Sequence, residues 1–157
     1  MEPLVLSIDQ GTTGSRAFLF DAGGRVVSQA YREFRQYFPR PGWVEHDANE
    51  ILAGVRRVVA EALPDRRSWA KIGAIGIANQ RETLVLWDAH TGKPVHRAIV
   101  WQCRRTSDLC AALRRRVPAS VVRRRTGLVL DPYFSGTKVR WMLDHVPGLR
   151  ARVSRGD

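Results

Sequence analysis

Apolar and polar positions follow two different periods along this chain, and the changes of period mark its elements. Leu4, Val5, Leu6 and Ile8 form a nearly unbroken apolar run, which predicts a buried strand over about Leu4–Asp9. A second run predicts a strand over about Ser15–Asp21, and Ala22-Gly23-Gly24 predicts a hairpin turn into a third, about Arg25–Phe34. Pro39-Arg40-Pro41-Gly42 breaks the pattern. The period then turns helical. Ile51, Leu52, Val55, Val58, Val59, Ala62 and Leu63 make one apolar stripe, with Arg56, Arg57 and Glu61 outside it. Asp47 and Glu50 predict a capping box at the start of that helix, and Pro64 lies near its end.

Further along, Ile72–Ala78 predicts a buried strand in which Gly73 and Gly76 admit a close neighbour. Thr83–Asp88 predicts another strand, His90–Pro94 a turn, and Val95–Trp101 a partly extended segment. Helices follow over about Thr106–Arg116 and about Pro118–Arg125, the second closed by Gly127. Val139, Met142, Leu143 and Val146 mark a last helix, stopped by Pro147-Gly148. There is no internal repeat and no linker. Three antiparallel strands, a helix, then more strands and helices match the ribonuclease-H-like α/β unit, which is half of the actin/hexokinase fold. The expected fold class is therefore α/β, a mixed sheet with flanking helices.

Composition narrows the class. A chain of 157 residues, 44% apolar and with five Trp, has the make-up of one folded domain, not of a disordered segment. No apolar run approaches the roughly 18 residues of a membrane span. No basic region precedes an apolar signal stretch, so a cytosolic protein is expected. Cys103 and Cys110 are seven apart in a predicted helix, two turns apart on one face, too far for a disulfide. Reduced, partly buried thiols are expected, and no Cys/His cluster has zinc spacing. A net charge of +11 alone suggests nucleic acid. Yet only Lys71, Lys93 and Lys138 among the 26 basic residues are lysine, and the arginines are spread over several elements. The runs Arg114-Arg115-Arg116 and Arg123-Arg124-Arg125 sit near helix ends, where cations complement the helix dipole. They are expected to be solvated faces, and a nucleic-acid partner is not expected.

Four segments carry candidate chemistry. In Asp9-Gln10-Gly11-Thr12-Thr13-Gly14-Ser15-Arg16 an acid ends the first apolar run and a small, hydroxyl-rich turn follows. A carboxylate for Mg²⁺ beside such a turn is what a nucleoside triphosphate site needs, although Asp-x-Gly-Thr also describes an ordinary hairpin turn. In Asn79-Gln80-Arg81-Glu82-Thr83, at the end of a strand, Arg81 and Glu82 offer donors and acceptors together, as vicinal hydroxyls require. The plain alternative is a surface ion pair. Trp101 closes an apolar run before a helix and could pack on the carbon face of a small substrate, or simply fill the core. Asp131-Pro132-Tyr133-Phe134-Ser135-Gly136-Thr137-Lys138 opens a helix, where Tyr133 could offer a hydroxyl and Ser135 or Thr137 could cap.

Together with Pro41-Gly42-Trp43-Val44-Glu45-His46-Asp47, Trp101-Gln102-Cys103-Arg104-Arg105 and Gly127-Leu128-Val129-Leu130, these segments resemble the glycerol kinases within the FGGY carbohydrate kinases, over nearly the whole chain. The resemblance implies ATP-dependent phosphorylation of glycerol to glycerol 3-phosphate. It implies that Asp9 sits near Mg²⁺, through water, and that Thr12, Thr13, Gly14 and Arg16 contact nucleotide phosphates. Arg81, Glu82 and Tyr133 would hydrogen-bond glycerol, and Trp101 would cover its carbon face. The chain departs from the commoner pattern at Gly14, where Ser is frequent. The resemblance also implies a second, ATP-clamping domain and a catalytic base that are not among these 157 residues. The chain is thus expected to be an N-terminal portion, incomplete even as a first domain and inactive alone, with an exposed sheet edge. The complete enzyme is expected to be a homo-oligomer using ATP and Mg²⁺.

Overall fold

A computed structural model describes residues 2–63 and 65–157; Pro64 lies outside them. The chain divides into two compact units. Unit 1 runs to Gln36 and resumes over Asp47–Gln80; unit 2 comprises Tyr37–His46 and Arg81–Asp157.

Unit 1 is a mixed sheet with a helix against it. Strands β1 (Leu4–Gln10), β2 (Gly14–Phe20), β3 (Val26–Glu33) and β5 (Ile72–Asn79) stand in the order β3-β2-β1-β5. The first three are antiparallel, with Val5 opposite Phe20 and Gln10 opposite Ser15, and β5 runs parallel to β1. Helix α1 (Ala48–Ala62) packs on β1, β2 and β3. Its apolar stripe meets one face of the sheet, where Leu6, Ala17, Leu19, Val58, Ala62 and Leu63 are buried together. Side chains alternate across a strand, so Val5, on the other face of β1, is 40% exposed. The strand predicted as buried throughout is covered on one side only.

Asp47 caps α1, accepting from the backbone N–H groups of Asn49 and Glu50 at 2.8 and 3.3 Å. The predicted capping box is only half made. Glu50 instead accepts from the N–H of Arg35 at 3.0 Å, tying the segment after β3 to the helix start. A short helix, α2 (Arg66–Ala70), was not legible in the pattern; Asp65 caps it through the N–H of Ser68.

The strand predicted as buried over Ile72–Ala78 exists as β5 but is not buried. Ile75 is 57% exposed and Ile77 72%. Its apolar run satisfies the pattern for a two-sided core strand, yet β1 is its one neighbour in the described sheet and only Ile72, at its start, packs against the buried cluster under α1.

Unit 2 pairs β4 (Glu45–His46) with β6 (Ala98–Ile99), beside helices α3 (Ser107–Arg116), α4 (Ala119–Thr126), α5 (Ser135–His145) and α6 (Leu149–Arg155). Its core gathers Ile99, Cys103, Trp141, Met142 and Leu149, with Trp43, Leu84 and Leu109 against them. The strand predicted over Thr83–Asp88 is not formed. Leu84 bridges to Ile99 and Trp87 to Pro94, two isolated bridges that never join into a ladder. Helix α6 was not expected after Pro147-Gly148. Gly148 at φ 73° turns the chain, and the helix resumes at once. Gly127, at φ 71°, closes α4 as predicted. Only Cys110 lies in a helix; Cys103 precedes α3, and both thiols are free and buried.

Candidate functional site

The first candidate cluster belongs to unit 1 and is built on the β1–β2 connection. Asp9 and Arg16 are opposite partners in the two strands, and Arg16 Nη1 approaches Asp9 Oδ2 at 3.8 Å. The turn between them closes through the Gly11 N–H, which donates to the Gly14 carbonyl at 2.9 Å. Gln36 donates to the Thr12 carbonyl at 3.0 Å, and the Phe34 N–H donates to that of Thr13 at 3.3 Å. Gln10 and Gln80 both donate to the Gly11 carbonyl, joining the turn to the end of β5. The turn is therefore fixed from three sides, with Asp9 and Arg16 partly open to solvent.

Gly14 has a steric reason. A Cβ there would stand 2.6 Å from the Tyr31 ring and 2.7 Å from the Arg32 carbonyl, so the side chain of Tyr31 occupies the room a serine would need. Arg16 lies over the same ring, 5.0 Å from its centroid. Tyr31 carried no signal in the sequence, because only its strand register brings it opposite Arg16.

Among the described residues no group of three or more His, Cys, Asp or Glu could hold a metal. Asp9 is the one predicted metal-side carboxylate with room to act. Asp21 is occupied by its hairpin, accepting from the N–H groups of Gly23 and Arg25 at 2.9 Å each. Asp88 is likewise occupied by its turn, accepting from Thr91 N at 2.7 Å and Thr91 Oγ1 at 2.8 Å.

The second cluster belongs to unit 2. Trp101 and Tyr133 meet edge to face with ring centroids 5.8 Å apart, although 32 positions separate them in sequence. The Trp101 N–H donates to Thr83 Oγ1 at 3.3 Å. Glu82 adopts a left-handed backbone at φ 61°, the one non-glycine residue among those described to do so. Its carboxylate Oε2 accepts from the N–H of Ser135 at 3.0 Å and from its hydroxyl at 2.7 Å. Ser135 is the first residue of α5, and Phe134 at the cap position makes no side-chain cap. A carboxylate 53 residues away therefore caps α5, where a local Ser135 or Thr137 cap was expected. Glu82 and Tyr133 are thus held at one place by the start of α5, with Trp101 against Tyr133. Arg81, next to Glu82 in sequence, is exposed.

Also in unit 2, the side chain of Arg105 is fully buried and donates to Glu45 Oε1 at 2.7 Å and to Cys103 Sγ at 3.0 Å. Its guanidinium lies 4.0 Å from the Trp43 ring centroid and 4.6 Å from that of Trp141. The aromatic faces account for Nη1, which is buried without a hydrogen-bond partner. A separate groove of about 510 Å³ opens between α3, α4 and α5, lined by Leu109, Leu113, Val122, Leu128 and Phe134. Its apolar walls suit a hydrocarbon better than a polyol.

The model of the FGGY family of carbohydrate kinases, N-terminal domain, matches residues 4–155, and the chain belongs to this family. Within it, the chain is similar to the glycerol kinase of Bacillus licheniformis, 54% identical over 158 residues, covering 100% of this chain and 32% of that protein. It is similar also to the glycerol kinase of Petrotoga mobilis, 56% identical over 99% of this chain and 32% of that protein. Among solved structures, Plasmodium falciparum glycerol kinase with ADP matches 99% of this chain and 31% of its own, at a TM-score of 0.90 and 31% identity. A xylulose kinase from Rhodospirillum rubrum matches at a TM-score of 0.87 and 28% identity, over 95% of this chain and 30% of its own. The chain spans about a third of the length of the relatives it matches.

Proposed function

We propose that this chain supplies the glycerol-holding residues and the first phosphate-contacting turn of a glycerol kinase, which transfers the terminal phosphoryl group of ATP to a primary hydroxyl of glycerol. The observation that carries this reading is the meeting of Glu82, Trp101 and Tyr133 in unit 2, a carboxylate and a phenol beside an aromatic face. A polyol needs both kinds of polar group and an apolar wall for its carbons. Arg81 adds donors, and its guanidinium orients an oxygen on the substrate. The similarity to two bacterial glycerol kinases supports this polyol over a sugar.

In unit 1, the Gly11–Gly14 turn and Arg16 are suited to phosphate oxygens, and Asp9 to a water-bound Mg²⁺. The donor set fits such an ion only as a partial shell, since one carboxylate is available. Magnesium would neutralise charge on the transferring phosphoryl group. Phosphoryl transfer relies on alignment and charge neutralisation, so the residues here orient and hold while the base and the remaining ATP contacts come from elsewhere in the enzyme.

The test joins this chain to the remaining two thirds of the Bacillus licheniformis glycerol kinase. Glycerol 3-phosphate forms with ATP and Mg²⁺, whereas the 157-residue chain alone gives little or none. Arg81→Ala in the chimera raises the KM for glycerol by about 10- to 100-fold and that for ATP far less, as expected for loss of charged hydrogen bonds. Equal losses for both substrates refute the assignment of Arg81.

A further inference from the structure

Lys138 is a fully buried residue, 0% exposed, and one of three lysines in the chain. A buried ammonium loses its hydration, so something specific must replace it. Here Nζ donates to the carbonyl of Glu82 at 2.6 Å and to the carbonyl of Tyr133 at 2.6 Å. Neither partner is a carboxylate. Both are backbone oxygens, and both belong to residues of the cluster that the proposed function gives to glycerol. The left-handed backbone of Glu82 lets one residue offer its carbonyl to Lys138 and its carboxylate to Ser135. Lys138 and Ser135 are both on α5, so the helix grips Glu82 at two points.

We propose that Lys138 is a positioning residue of the glycerol site, holding the backbones of Glu82 and Tyr133 in the one arrangement that presents their side chains to the same polyol. This rests on the glycerol reading of the cluster. Lys138 itself is too deeply buried to touch the substrate. A lysine needed only for packing would be replaceable by an apolar chain of its length. This one joins two segments, 56 and 5 positions from it in sequence, that would otherwise be set independently. Burial pushes its ammonium down to about 8, against the pull of Glu82, Cys103 and Asp131, the charged and titratable groups that act on it.

The experiment uses the chimera with the Bacillus licheniformis remainder, in which only these 157 residues carry ¹³C at the lysine ε position and ¹⁵N in the backbone. Glycerol is titrated while both sets of NMR signals are followed. Lys71→Arg and Lys93→Arg, at the two other lysines, identify the Lys138 signal by elimination. That signal is expected to titrate near pH 8. It is also expected to shift on adding glycerol, with the same midpoint as the Glu82 and Tyr133 amides. Lys138→Met is expected to weaken glycerol binding at least tenfold while the core amides of unit 2 keep their positions. If that variant fails to fold, the labelled unsubstituted chimera still decides through its lysine signal. A Lys138 signal that stays fixed while the Glu82 and Tyr133 amides saturate overturns the clamp, as does a folded Lys138→Met chimera that binds glycerol normally. Failure of the unsubstituted chimera both to bind glycerol and to form glycerol 3-phosphate overturns the glycerol reading, and the clamp with it.

Discussion

Gly14 and Tyr31 compete for one volume, and that competition explains a departure from the family pattern that looked like the loss of a hydroxyl. The Tyr31 ring and the Arg32 carbonyl leave no space for a Cβ. Gly14→Ala is expected to destabilise unit 1 by about 1–3 kcal/mol through overpacking, read by urea unfolding. Shortening Tyr31 in the same chain recovers part of that loss, because neighbouring substitutions do not add. Arg105 is the second case. Arg105→Leu leaves the buried Glu45 with only the 4.0 Å approaches of Arg97 and His96 and is expected to cost up to about 3 kcal/mol; pairing it with Glu45→Gln costs less. Residue types were legible in the sequence, but partners were not. Asp9, Glu82, Trp101 and Tyr133 stand out by motif. Tyr31 does not, and Ser135 and Lys138 lie within a motif without showing their roles, because all three roles depend on which strand or helix start lies opposite them.

At the scale of elements, each boundary that a local signal marks was predictable, and the rest were not. Asp47 and Gly127 close their helices with side chain or backbone a few positions away, so the pattern predicts both. Helix α6 follows a Pro-Gly pair that usually ends a helix, and its anchor is remote. Arg152 on α6 pairs with Asp88, which also holds the 88–92 turn. Thr91, first through its hydroxyl and then its N–H, and Arg152 behind it, bring the Asp88 carboxyl down to about 2. Its folded value is below the usual 3.8, so the stability it contributes is fully present above about pH 4 and is lost as pH falls toward 2. Asp88→Asn is therefore expected to lower the melting midpoint at pH 7, with the difference fading between pH 4 and pH 2. Thermal melts over that range, followed by circular dichroism, check it. A difference independent of pH would assign the loss to packing of the turn, not to its charge.

For the whole molecule, charge and surface have separate causes. The two arginine runs occupy the last turns of α3 and α4, where the helix dipole accommodates them, so the +11 charge is accounted for in good part by helix ends. The open strand β5 is a different matter, with Ile75 and Ile77 exposed beside an edge that has one neighbour. Exposed apolar edges pair with whatever strand they meet. The chain is expected to self-associate as its concentration rises, and Ile77→Lys to reduce this; sedimentation velocity measures both. The fold class was legible because strand and helix periods need no long-range information. An open sheet edge was expected, but that β5 forms it was not legible, since an apolar run looks the same whether or not a neighbour covers it.

The two cysteines offer a clock that reads half of the protein. Cys103 and Cys110 are both shielded from solvent, and both belong to unit 2, while unit 1 has no thiol at all. A thiol reagent can reach either sulfur only when unit 2 opens, so its labelling rate reports the lifetime of that half alone. Set beside hydrogen exchange in β1 and β2, it would show whether the two halves let go together or one at a time.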